Sequence, residues 1–586
     1  MEQSVRAPAE EAIGGWRSLP HMMLGLAARH PDKPMLRAWR GEEWEAIPWG
    51  EFAARVARAA AGLRAAGVAP GDRVLLVSEN RPEFLIADVA IMAIGAVTVP
   101  TYTTNTMADH AHVLRDCGAR IAIVSTAALA ERVLAAAAEA AGLDTLICME
   151  EPGAVPQGVR TLGWDWLLSH AADPAALLAE VEQIPPGRLA CLIYTSGTGG
   201  SPKGVMLPHR SMLSNAEGVR QILGPLQLDG ERYLSFLPMS HSYEHTVGGF
   251  ILPMIGMEVV YSRGADRLAA EMAEFRPGAI TAVPRLFEVL KARILAQIEK
   301  EGGLRRALFE RALALGLRKL DGPPLSPFER LQDALLERLV RDRFRARFGG
   351  RVQVMVSGGA RLDPDLSGFF LALGMPVIQG YGQSEAGPVI SVNLPWFNDR
   401  RTVGRPLPGV EVKIAEDGEI LVRGPLVMDG YWNNPEATAA ALKPLPGDPG
   451  GPWLHTGDVG ALDAEGRIII TDRKKDFIKL LGGDMIAPTK IETMLMAEPE
   501  IMQAIVAGEG QPGIVALLVP AEGMADRVEQ AVARVNAKLS TIERIRRWKL
   551  LDEPFSIDNG LLTASMKTKR REVLARYADT LAALHR

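Results

Sequence analysis

Along the first third of the chain, the apolar positions switch repeatedly between two periods. Residues 51–67 (EFAARVARAAAGLRAAG) place apolar side chains at helical spacing and end at glycine, and DRVLLVS follows as a short apolar strand. The switch recurs in LIADVAIMAIG then AVTVP, and in ARIAIVS then AALAERVLAAAAEAAG. Such alternation predicts an α/β fold with largely parallel sheets flanked by helices. No repeat period stands out. The most apolar stretch, residues 84–100 (FLIADVAIMAIGAVTVP), carries Asp88 and ends at a proline. A membrane span needs roughly 20 predominantly apolar residues. This stretch therefore reads as a buried helix followed by a strand.

The pattern changes at residues 284–351, which read as long amphipathic helices. Residues 285–351 hold 16 basic and 9 acidic side chains. Two readings stand side by side: a solvated helical hairpin, and a basic surface that approaches anionic lipid headgroups. Further on, GEILVRG and GRIIITD read as strands bounded by turns. The charge-dense TDRKKDFIK then opens a new α/β pattern, which predicts a domain boundary near residues 472–475. The expected organisation is a large multi-layer N-terminal domain over residues 1–472, with a helical insertion at about 285–350, and a small mobile α+β domain over 473–586.

A chain of 586 residues is too long for one core, which agrees with two domains. The net charge of −5 gives no case for nucleic-acid binding. The 3 cysteines lie far apart without metal-ligand spacing, and the first residues carry acids and no apolar run. A cytoplasmic protein is expected, with peripheral contact to the inner face of a membrane as an option.

Residues 194–209, YTSGTGGSPKGVMLPH, carry the first chemical signal. Glycines let backbone N–H groups approach an anion, hydroxyls add donors, and one lysine adds a mobile charge. CLIY before them reads as a strand, so the loop would leave a sheet at its carboxyl end. The Walker spacing is absent, since Ser-Pro separates the glycines from the lysine. Read in full, TSGTGGSPKGV resembles the phosphate loop of the adenylate-forming superfamily: acyl-CoA synthetases, peptide-synthetase adenylation domains and luciferases. The likeness extends over nearly the whole chain. It implies that Thr195, Ser196, Gly197, Thr198, Gly199 and Lys203 contact ATP's β- and γ-phosphates.

Other motifs match the same family. FLPMSHSYEH resembles the segment that walls the carboxylate pocket, with His241 as the catalytic-site candidate and Tyr243 beside it. A histidine here equally fits a core or helix-end role. The aspartate that peptide-synthetase relatives use near this motif is missing, which argues against an amino-acid substrate. VSGGARL brings Gly358, Gly359 and Ala360, and IQGYGQSEAG brings Gln379, Gly380, Tyr381, Gly382 and Ser384; by resemblance both wrap the adenine and the start of the acyl site. Glu385 fills the position of a Mg²⁺ ligand, with Thr195 as its partner on the metal. A hard cation of this kind prefers oxygen donors. Asp458 in WLHTGDVG would hold the ribose hydroxyls, with Arg473 on ribose or phosphate. Lys475 falls at the hinge position, and Lys567 in GLLTASMKTKRR at the catalytic lysine. Many members read SGK where this chain reads SMK, as long-chain acyl-CoA synthetases do.

The resemblance thus implies that a fatty acid, of long chain by the likeness of the insertion, is activated by ATP and Mg²⁺ and passed to coenzyme A. A ligase that delivers the acyl group to a carrier protein, a luciferase-like oxidation and a non-catalytic nucleotide-binding regulator are the alternatives. SHSYEHTVGGFILPMIGM reads either as the lining of an apolar tunnel or as core.

Overall fold

The computed structural model describes residues 12–140, 142–153, 155, 157–195, 201–264, 266–563 and 567–586. Its N-terminal part is built on two large sheets with helices packed around them. In the eight-stranded sheet, Val97–Thr101, Arg73–Val77, Ile121–Val124, Thr145–Cys148 and Arg160–Gly163 run parallel. Leu189–Thr195 joins Val97–Thr101, and Lys203–Pro208 returns antiparallel to it. In the nine-stranded sheet, Glu258–Tyr261, Arg232–Ser235, Ala279–Ala282, Val354–Ser357 and Val377–Gly382 form the parallel centre. The helix–strand alternation of the sequence is the source of this layering, because each parallel pair needs a crossover.

The apolar stretch at residues 84–100 folds as the helix Pro82–Ala93 followed by the strand Val97–Thr101. Every residue of that helix is buried, which is why its sequence shows no polar face. Asp88 lies on that helix with His245 Nε2 2.9 Å from its carboxylate, both side chains fully buried. Glu51's segment forms the helix Trp49–Ala66, closed by Gly67 at φ 96°. No helix among the described residues is long and apolar enough to cross a membrane.

A mainly antiparallel five-stranded sheet follows, including Glu419–Arg423, Trp453–Leu462 and Ile468–Arg473. The chain after Arg473 builds its own three-stranded sheet, Ile501–Ala507, Ile514–Pro520 and Ile545–Leu550. Its cores are separate from those of the large sheets. Asp472, at the end of the preceding strand, accepts hydrogen bonds from the backbone N–H and the hydroxyl of Thr489, 3.0 and 2.8 Å away.

The amphipathic segment forms Pro284–Glu301, Gly303–Asp321, Pro327–Leu336, a wide turn Glu337–Arg341 and Asp342–Ala346. Many of its basic side chains are paired with acids of the same segment. Arg341 is 3% exposed, 2.7 Å from Asp333 and 3.2 Å from Glu337. It also donates to the carbonyls of Ala312 and Ala372, at 2.7 and 2.8 Å. One guanidinium thereby ties three helices together. Arg341→Ala leaves Asp333 with Lys319 as its remaining cation and removes both carbonyl contacts, a loss expected at about 1.5–3 kcal/mol. Denaturant unfolding checks it, and a change under about 1 kcal/mol would show the contact to be incidental.

Candidate active site

The described residues singled out in the sequence converge on one cleft of about 2080 Å³. Thr195, Lys203, His241, Gly358, Gly359, Ala360, Gln379, Gly380, Tyr381, Gly382, Ser384, Glu385, Asp458, Arg473, Lys475 and Lys567 all line it. Ser196, Gly197, Thr198 and Gly199 lie outside the described residues.

Thr195 ends one strand and Lys203 begins the next, and the two residues pair across the antiparallel ladder. The lysine therefore stands at a strand end, with a further short strand on the other side of its own. Its ammonium sits 5.0 Å from the centroid of the Tyr431 ring.

His241 caps the helix Ser242–Thr246, its Nδ1 accepting the Tyr243 N–H at 3.1 Å. It also lines the cleft, so the helix-end position does not take it out of the cavity. Burial and then the Lys567 charge lower its pKa to about 3, which keeps the ring neutral. A neutral ring serves as wall and cap; it is not poised to trade protons near neutral pH. Tyr243 reaches the carbonyl of Val356 at 3.1 Å, and its ring occupies the space a side chain at Gly358 would need, with a Cβ there only 2.9 Å away. Gly382 is tighter still: a Cβ would stand 1.8 Å from the Pro388 carbonyl oxygen.

Ser384 and Ser242 hydroxyls meet at 2.7 Å, tying the Glu385 turn to the His241 helix. Glu385 accepts a hydrogen bond from the Tyr431 hydroxyl at 2.8 Å. Asp458 is buried, accepts from Tyr381 at 2.7 Å, and lies 3.5 Å from Arg473, its cross-strand partner. Burial raises its pKa, while Arg473 and Tyr381 work against that rise. Lys567 enters from the C-terminal part. Confinement in the cleft, then the Arg473 charge, lower its ammonium to about 8, and Asp458 and Glu385 oppose them. Its backbone carbonyl accepts the Thr563 N–H at 2.8 Å.

Beyond this polar end the cleft is apolar, lined by Val219, Leu223, Val247, Leu252, Ala279 and Val354. The segment after His241 divides its roles: Val247 and Leu252 line the cleft, while Phe250 and Ile251 are core. Tyr431 was not legible as a site residue. MDGYWNN carries only an aromatic after glycine, a pattern common in ordinary turns.

Residues 26–432 match the family model described as AMP-binding enzyme, and residues 475–586 match that of the AMP-binding enzyme C-terminal domain. The long-chain-fatty-acid–CoA ligase FadD15 of Mycobacterium bovis is 32% identical, over 100% of this chain and 99% of its own. The long-chain-fatty-acid–[acyl-carrier-protein] ligase AEE15, chloroplastic, of Arabidopsis thaliana is 27% identical, over 97% of this chain and 87% of its own. Among solved structures, the O-succinylbenzoate coenzyme A synthetase of Bacillus subtilis in complex with ATP and magnesium ion has a TM-score of 0.68 and 23% identity, covering 94% of this chain and 98% of that one. The chain belongs to the AMP-binding enzyme family, the adenylate-forming ligases, and fatty-acid–CoA ligases are among its relatives.

Because its ring is held neutral, His241 should show no titration between pH 5 and 8. Ring-carbon NMR of selectively labelled protein, assigned with His241→Asn, checks this. A midpoint near 6.5, the ordinary value, would contradict the burial argument.

Proposed function

We propose that this protein activates a fatty acid, of long chain, through an acyl-adenylate to acyl-CoA, releasing pyrophosphate and then AMP. The observation that carries the reading is the presence of Lys567 in the same cleft as Asp458 and Glu385, electrostatically coupled to both. The apolar arm of the cleft supports an alkyl substrate, and the FadD15 likeness supports long chains.

In the first half-reaction, a carboxylate oxygen attacks the α-phosphorus and pyrophosphate leaves. Both reactants are anions, so bringing them together costs energy that a cation touching both offsets. Lys567 supplies that charge. Thr195 and Lys203 hold the β- and γ-phosphates, together with Ser196, Gly197, Thr198 and Gly199. Gly358, Gly359, Ala360 and Gln379 through Gly382 enclose the adenine, and Asp458 and Arg473 take the ribose. His241 and Tyr243 wall the carboxylate.

No group of three or more potential protein ligands for a metal stands together among the described residues. One carboxylate and one hydroxyl, Glu385 and Thr195, suit Mg²⁺, which keeps waters and substrate oxygens in its shell. Bound there, it would neutralise charge on the departing pyrophosphate.

In the second half-reaction, Lys567 must vacate the path of the thiol. Rotation about Lys475 moves it, and the Asp472–Thr489 contacts are the ones that a rotation there parts. The coenzyme A sulfur attacks the acyl carbon, the C–O bond to AMP breaks, and the thiol proton passes to solvent. A carrier-protein thiol would react by the same step; the AEE15 likeness favours that second reading.

We also assign the helical insertion to a bilayer. Seven of the 13 large apolar side chains exposed among the described residues lie on it. Phe328, Leu331 and Leu335 form a stripe at helical spacing, 68%, 71% and 59% exposed. Arg330, Arg338 and Arg343 on the same run carry no ion pair among the described residues, whereas Arg341 and Arg345 are paired. An apolar stripe beside guanidinium groups that have no acidic partner complements an anionic lipid surface.

Lys567→Ala should reduce adenylation, measured as pyrophosphate exchange, by about 10²–10³-fold; preformed acyl-adenylate should still react with coenzyme A. Adenylation kcat/KM should fall as pH rises through about 8, where the Lys567 charge is lost. Lys567→Arg should move that fall to higher pH. Exchange undiminished in Lys567→Ala would sink the assignment, and AMP release that requires carrier protein rather than coenzyme A would favour the second reading. For the insertion, the wild-type protein should sediment with phosphatidylglycerol vesicles at low salt and the triple variant Phe328→Glu, Leu331→Glu, Leu335→Glu should not. Equal sedimentation, or a dimer in sedimentation velocity that the triple variant abolishes without any vesicle binding, would overturn the lipid assignment.

A further inference from the structure

The cleft contains a cation and an anion that are not paired with each other. Among the described residues neither Lys203 nor Glu385 makes an ion pair, although both line the same cavity. The Tyr431 side chain lies against both. Its hydroxyl donates to Glu385 Oε1 at 2.8 Å, and its ring carries the Lys203 ammonium 5.0 Å from its centroid. We propose that Tyr431 is a positioning residue for the triphosphate site, an aromatic spacer that presents Glu385 to the metal and Lys203 to phosphate while keeping the two from neutralising each other.

The backbone around Tyr431 is fixed to both of the groups it serves. Gly430–Tyr431 is a two-residue strand paired to the Lys203 strand, with Tyr431 opposite Val205 and Gly430 opposite Met206. Trp432 N–H donates to the Gly204 carbonyl at 2.8 Å, next to Lys203. Met428 N–H donates to the Glu385 carbonyl at 3.0 Å. Tyr431 N–H is held by the Thr438 hydroxyl at 2.9 Å. The ring is thus built into the frame that carries both charges.

The physical need for a spacer follows from the flexibility of lysine. An ammonium on a four-carbon stem beside a half-buried carboxylate will close on it unless something occupies the space or offers an alternative. The ring face offers the ammonium a seat, and the hydroxyl orients the carboxylate as outer-sphere partners orient metal ligands.

The inference rests on the assignment of Glu385 to the metal, and the test separates the two. Binding of α,β-methylene ATP is measured by calorimetry with and without Mg²⁺, and Mn²⁺ binding to the protein–nucleotide complex by electron paramagnetic resonance. Tyr431→Phe keeps the ring and removes the hydroxyl. It should weaken metal binding by about 10-fold or more while leaving metal-free nucleotide affinity unchanged. Tyr431→Leu, which also removes the ring face, should weaken metal-free nucleotide binding as well. Glu385→Gln should reproduce or exceed the metal defect. Should Glu385→Gln lose metal affinity while Tyr431→Phe matches the parent, the spacer role fails and the Glu385 assignment stands. Should Glu385→Gln leave metal binding intact, the assignment and the inference fail together. A Tyr431→Phe defect equal with and without metal would show a merely structural residue and overturn the proposal.

Discussion

Charges of both signs must face one cleft without cancelling, and the architecture around the cleft is arranged to permit it. Asp458 and Arg473 stand 3.5 Å apart across a strand pair, close enough to couple and held there by the ladder. Lys567 feels Arg473 as a like charge and Asp458 and Glu385 as opposite ones. Glu385 and Lys203 are separated by an aromatic ring. Each group is anchored to a strand end, a short turn or a hairpin, so that the charges do not collapse onto one another. Such preorganisation is what allows fixed dipoles and charges to act on a ligand without reorganising.

The same constraint explains where the molecule uses glycine. Gly358 gives way to the Tyr243 ring, and Gly382 to the Pro388 carbonyl. In both places backbone or ring approaches closer than any side chain permits. The result is a wall of main chain at the polar end of the cleft, continuous with an apolar arm formed where Val219, Val247 and Ala279 come together.

Charge is managed differently away from the cleft. The insertion looked strongly basic in sequence, with 16 basic against 9 acidic side chains. Arg341 turns inward to join three helices, and Arg345 is taken up by Glu337 and Asp342. Among the described residues, Lys291, Arg293 and Lys300 on the first helix of the insertion have no acidic partner, and neither do Arg330, Arg338 and Arg343 beside the apolar stripe.

The sequence by itself determined the layered α/β plan, because period and length separate buried helices from strands, and it marked a polar set that converges on the cleft, because the motifs keep chemistry-bearing groups at fixed spacing. The buried helix at residues 82–93 and the amphipathic insertion were legible for the same reason. Only the tertiary structure decided which charges meet. Tyr431 sits 46 residues from Glu385 and is flanked by nothing that advertises its task. His241 was readable as wall or cap, and three-dimensional packing makes it the cap of a helix at the lip of the cleft and holds its ring neutral. Periodicity records how much surface a residue buries, whereas partner choice depends on chain segments that only folding brings together.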